Sequence, residues 1–264
     1  MRPSLTHYTL GAPSVTGAGL GVSMEVLDSA LAGPVASIVF DDAGTDLISA
    51  LLDGLTDTDF ARHNLETLLS STRPPEDWRV GEALAESYLC DCKDCYFPWP
   101  DGRDERKRGS SLPGADLVGF RLIGGTERFA FGEVKTSTEA TYPPGAAYGR
   151  HGLKQQLEDL RDRQDIRDGL VVYLAHRAGT APWRNRFRNA STAYLRNTND
   201  VHIFGLLIRD VPPHENDLRA RVESLTHGCP PATVIELAAI YLPAGAIGTL
   251  SSKVLASRQT GGAA

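Results

Sequence analysis

Apolar residues recur along this chain with two different periods. Between residues 44 and 71, Leu47, Leu51, Leu52, Leu55, Phe60, Leu65, Leu68 and Leu69 fall at three- and four-residue spacings, the mark of amphipathic helices. Asp46 and Asp57 stand where caps are expected. PVASIVF (34–40) reads as a strand, whereas residues 1–33, rich in Gly, Ser, Thr, Ala and Pro, show weak periodicity. RPPEDW (73–78) is a breaker and a boundary. A helix follows at RVGEALAESYL (79–89). Two strands, Asp116–Ile123 and Arg128–Thr136, are joined by Gly124-Gly125-Thr126, a connection short enough to demand an antiparallel hairpin. Then come a helix at 151–163, a buried strand LVVYLAH (170–176), a helix at 183–197, a strand VHIFGLLI (201–208), a helix at 216–225 and a strand ATVIELAAIYL (232–242). The tail from Ser251 reads as frayed.

From residue 79 onward this order gives an α/β sandwich with a central mixed sheet flanked by helices. The expected division is a mainly helical N-terminal region (1–75) with a docking or regulatory role, a main domain (76–245) and a flexible tail (246–264). The 264 residues suffice for one large domain with an appendage. No run approaches the roughly 18 apolar residues of a membrane span, and the first residues lack a signal-peptide layout. A cytoplasmic location without membrane contact is expected. The formal net charge of −6 argues against binding nucleic acid by bulk charge, but leaves room for a local basic groove and for a protein partner that supplies affinity.

The candidate chemistry lies in RFAFGEVKTS. Strand side chains alternate, so Glu133 and Lys135 share one face and Val134 takes the other. Charges beside Phe129 and Phe131 are costly unless paired or bound to a metal. Asp116 opens the preceding apolar run, PGADLVGFRLI. Two carboxylates with a lysine suit Mg²⁺ or Mn²⁺, with Asp116, Glu133 and the Val134 carbonyl as ligands and Lys135 beside a metal-bound water.

The pattern PGAD…GEVK resembles the PD-(D/E)xK nuclease superfamily, with its restriction-endonuclease-like fold, over about residues 79–208. Pro113-Gly-Ala-Asp116 is a looser form of the family's Pro-Asp pair. The resemblance implies catalytic roles for Asp116, Glu133 and Lys135, and a water-mediated metal contact from Glu82 on the preceding helix, with Glu86 as the spare. It also implies a glutamine on the following helix, Gln155 or Gln156, with Gln156 preferred. The layout is similar to prokaryotic antiviral defence nucleases such as the nuclease subunit of Hachiman-type systems. That similarity implies a DNA substrate and a helicase or ATPase partner. Homodimers are common where both DNA strands are cut. The alternative is a catalytically silent nucleic-acid-binding or assembly subunit of the same fold.

Arg184, Arg186, Arg188 and Arg196, interleaved with Trp183, Phe187 and Tyr194, form a candidate DNA-binding helix. The same aromatics also fit a packed core. The mixed-sign run Arg103–Arg108 reads as a solvated loop. Cys90, Cys92 and Cys95, with Cys229, are candidates for a structural zinc or iron–sulfur site, with free thiols as the competing reading. His151 opens the helix after the Lys135 strand, where a polar contact at the helix start suits it better than catalysis.

Overall fold

The computed structural model describes residues 1–52, 54–55, 57–69, 74–100, 103–104, 114–149 and 151–261. Its strands are β1 (Leu5–Ala12), β2 (Val15–Gly21), β3 (Cys95–Tyr96), β4 (Leu117–Ile123), β5 (Thr126–Ser137), β6 (Val201–Arg209) and β7 (Val234–Tyr241). They form one mixed sheet in the order β1-β2-β7-β6-β5-β4-β3. The four inner strands β2, β7, β6 and β5 are parallel, and β1 and β4 pair antiparallel at the two sides. Gly124 and Gly125 both take positive φ in the β4–β5 turn, which is the backbone that a two-residue turn with the twist of its strands requires.

Alternation along β5 divides the interior into two layers. Ala130 and Val134 face α1 (Met24–Ala32), α2 (Pro34–Val39), α5 (Asp77–Lys93) and α10 (Leu250–Gly261). Phe129 and Phe131 face α6 (Leu153–Asp162), α7 (Gln164–Ala178), α8 (Arg184–Arg196) and α9 (Arg219–Thr226). Phe129 is the centre of the second layer, with the rings of Phe120, Phe131, Phe187 and Tyr194 5.6–6.3 Å away. Phe129→Ala is expected to cost about 3–5 kcal/mol in a urea unfolding experiment, through lost burial and the cavity left behind.

Four expectations are corrected. PVASIVF is the helix α2, which begins with Pro34 at a first-turn position, where its missing N–H costs nothing. LVVYLAH belongs to the fifteen-residue helix α7, whose inward residues Leu170, Leu174 and Ala178 are four apart. The segment before residue 33 supplies β1 and β2, and β2 pairs with β7 in register from Val15↔Ile235 to Gly21↔Tyr241. The N-terminal region therefore shares the main sheet, although α1 to α4, with α3 (Asp42–Leu52) and α4 (Asp59–Leu69), make the rest of it helical. The tail is α10, anchored by fully buried Leu250 and Val254.

A polar cluster crosses the α5 side of the sheet. Glu236 on β7 accepts from Lys93 Nζ at 2.5 Å and from Arg121, and Arg121 Nη1 stands 3.1 Å from His202 Nδ1. Burial, and then the Arg121 charge, lower the His202 pKa to about 4. Folded His202 therefore stays neutral over a range in which the unfolded histidine binds a proton. Its contribution to stability is complete above about pH 6.5 and is lost as pH falls towards 4, an effect of about 3 kcal/mol. His202→Gln should flatten that part of the stability–pH curve, read from urea midpoints.

Candidate active site

The site forms where β4 ends and β5 continues. Leu117, the first residue of β4, pairs with Gly132. From Glu133 to Ser137, β5 has β6 on one side, and among the described residues no strand on the other. Asp116 sits at the start of this open edge, and its Oδ2 accepts the Val134 N–H at 2.7 Å. The N–H and C=O of a strand residue point to the same side, so the Val134 carbonyl faces the same edge.

Glu133 is 1% exposed, whereas the Lys135 side chain is 21% exposed. Lys135 Nζ lies 3.5 Å from Glu133 Oε2, an oxygen with no hydrogen-bond partner. Burial, and then the neighbouring Asp116 carboxylate, push the Glu133 pKa well above the usual carboxylate range, with Lys135 opposing the rise. Two carboxylates in contact, one of them buried with an orphaned oxygen, favour a cation between them. The donor set of Asp116, Glu133 and the Val134 carbonyl is all oxygen and fits Mg²⁺ or Mn²⁺.

Gly205 pairs with Glu133 across β5 and β6. A Cβ on Gly205 would lie 2.6 Å from Leu157 Cδ1, so α6 seats directly over this pair. Gln156, the preceding residue on α6, carries a buried side-chain oxygen without a hydrogen-bond partner. Gln155 turns outward and donates to Asp159 at 3.0 Å. Of the two glutamines, Gln156 is the one whose side-chain oxygen is buried.

α5 crosses β5 on the opposite face, where a Cβ on Gly81 would collide with Thr136 Oγ1. Glu82 follows that crossing and pairs with Arg79 at 3.8 Å. Among the described residues, no three His, Cys, Asp or Glu side chains gather as a metal-holding group. Glu86 is pushed up to about 8 by burial and then by Asp41, away from the site. Cys95 is buried in the α5 layer, while Cys229 packs in the other layer. Cys229 is therefore apart from Cys95. His151 is exposed ahead of α6.

α8 resolves the arginine–aromatic segment into two kinds of residue. Trp183, Phe187 and Tyr194 pack onto Phe120 and Phe129 as core. Arg186 pairs with Glu127 at 3.1 Å and lies over the Tyr96 ring. Arg184, Arg188 and Arg196 are exposed. In Arg103–Arg108, the first two residues are latched inward: Arg103 donates twice to Asp41, and Asp104 accepts from Trp99, Tyr173 and Arg177. Residues 105–108 and Pro113 lie outside the described residues.

Sequence reasoning missed Arg209. It is fully buried at the end of β6, donates to the carbonyls of Ser137 and Thr141 at 3.2 and 2.9 Å, and pairs with Asp217 at 3.3 Å. It thereby fixes the backbone just beyond Lys135. The available signal was a charged residue ending an otherwise apolar strand. Compared with family models and with curated proteins, the chain matches none. No helix among the described residues is long and apolar enough to cross a membrane.

Proposed function

We propose that the chain is a Mg²⁺- or Mn²⁺-dependent nuclease that hydrolyses DNA phosphodiester bonds. The observation that carries this reading is the convergence of Asp116, Glu133, the Val134 carbonyl and Lys135 at one open strand edge. Asp116 and Glu133 would hold the cation. When bound, it supplies Lewis-acid polarisation of the phosphate and a more acidic water. Lys135, partly exposed beside Glu133, is placed to donate to the attacking water and to offset charge that develops on the phosphate. Gln156 has an amide free to orient either group.

The backbone of a DNA substrate would rest on Arg184 and Arg188. They lie on α8, which packs over Phe129, four residues before Glu133 and about 13 Å along the strand. Replacing both with Ala should weaken DNA binding and lower the magnitude of the salt slope by about 2. Arg186→Ala should act mainly on stability, because its guanidinium is already engaged. Fluorescence anisotropy at several salt concentrations separates the two. The acidic balance of the chain, together with the resemblance to defence nucleases, supports action beside a helicase or ATPase partner in antiviral defence.

The test is incubation of plasmid, linear DNA, single-stranded DNA and RNA with the protein and Mg²⁺ or Mn²⁺, with and without the product of the neighbouring gene. The reading expects DNA loss that Asp116→Asn abolishes. Equal loss in wild type and variant would overturn the site, and loss of RNA only would change the substrate.

A further inference from the structure

Exposed apolar side chains concentrate on one segment of the molecule. Leu47, Ile48 and Leu51 on α3, Leu55 in the connection, and Phe60 and Leu68 on α4 are between 43% and 77% exposed. No residue of α4 is buried. Leu47, Leu51 and Leu55 are spaced by four and Phe60 and Leu68 by eight, so each helix carries its own outward stripe. Helices of eleven residues are marginal in water without packing. Exposed apolar stripes of this kind mark an interaction site.

Charge narrows what can cover it. Residues 41–69 carry seven carboxylates against one arginine, an excess equal to the −6 of the whole chain. Asp41 and Asp42 turn inward to Arg103 and Arg258, and Asp59 pairs with Arg62. Asp46, Asp57 and Glu66 have no cationic partner among the described residues, and every lysine or arginine of the segment is already used. A DNA backbone is repelled by such a surface. A second copy would set these carboxylates against their own counterparts. A protein helix whose apolar face is flanked by lysine and arginine satisfies both the stripe and the charge.

We infer that α3–α4 is a docking surface for a partner protein that presents such a basic amphipathic helix. The root of the segment is fixed to the domain. Arg103 donates to both Asp41 oxygens at 2.8 and 2.7 Å and lies over the Trp99 ring, and Arg258 of α10 holds Asp42 at 2.6 Å. These two pairs tie the start of α3 to the domain. The use of a docked partner in DNA cleavage rests on the nuclease reading, but the docking itself does not.

The probe is a fluorescein-labelled amphipathic helix of leucine and lysine, with a leucine–glutamate helix as its counterpart. The full chain is compared with Leu51→Ser/Phe60→Ser and with Asp46→Lys/Glu66→Lys. Wild type is expected to sediment as a monomer, to bind the basic helix in a salt-sensitive way and to ignore the acidic one. Both double variants are expected to bind about tenfold more weakly or worse, with unchanged circular dichroism and melting temperature because the altered side chains are exposed. Equal binding by wild type and variants would overturn the inference. So would a wild-type dimer that Leu51→Ser/Phe60→Ser dissociates, which would make the occupant a second copy. Metal-dependent DNA cleavage measured on the same preparations reports separately on the nuclease reading.

Discussion

Lys135→Met is expected to reduce Mg²⁺-dependent DNA cleavage by about 10²–10⁴-fold, the range for losing a positioned proton donor or charge at a reacting centre. The fold should be retained. The Lys135 side chain is 21% exposed and its one recorded ion pair, to Glu133, is 3.5 Å long, so the substitution removes little packing. Relief of the Glu133 carboxylate by Lys135 is also lost, which leaves burial and Asp116 to raise its pKa further. Lys135→Arg should recover only part of the activity. A planar guanidinium does not match the compact ammonium that would face the attacking water. Single-turnover cleavage with saturating protein measures the effect directly, and thermal melting of the same samples checks the fold.

A stability loss as large as that of Phe129→Ala is expected at Arg209. Both members of the Arg209–Asp217 pair are fully buried, and Asp217 Oδ1 has no hydrogen-bond partner. Arg209→Ala leaves that carboxylate without its cation, held by the Tyr241 hydroxyl, and also releases the Ser137 and Thr141 carbonyls. Breaking one side of a buried pair costs about 3–5 kcal/mol, which corresponds to a drop in melting temperature on the order of 10 °C for a chain of this size. Arg209→Met combined with Asp217→Leu should recover much of the loss, because no uncompensated charge then remains. If the double variant is as unstable as Arg209→Ala, the hydrogen bonds to the loop after β5 carry the stability rather than the charge pair.

The parts legible in the sequence were those carried by strong local signals. Gly124-Gly125 fixed the hairpin, its glycines meeting the positive φ that the turn needs. The same hairpin sets Asp116 against Val134, so three of the site residues followed from one turn. Other elements gave weaker or misleading signals. β2 carries Gly17, Gly19 and Gly21, which lie against β1 and remove the apolar alternation by which a strand is recognised. In α7, Val171 and Val172 suggest a strand, yet Val172 is 52% exposed and the helical spacing of Leu170 and Leu174 decides the matter through burial. α10 offers only Leu250 and Val254 as apolar anchors, too few to register without the groove that receives them. Glu82 was assigned by position on its helix. Which side of the sheet that helix covers is a tertiary property, and α5 packs over Thr136, on the face opposite the Glu133 side chain.

Binding of Mn²⁺, followed by electron paramagnetic resonance of the free ion, tests the central claim most directly, because it needs neither substrate nor partner. Wild type should take up Mn²⁺. Asp116→Asn and Glu133→Gln should each lose that uptake, and Lys135→Met should retain it. Uptake that is unchanged in both carboxylate variants would contradict a metal site at the open edge of β5.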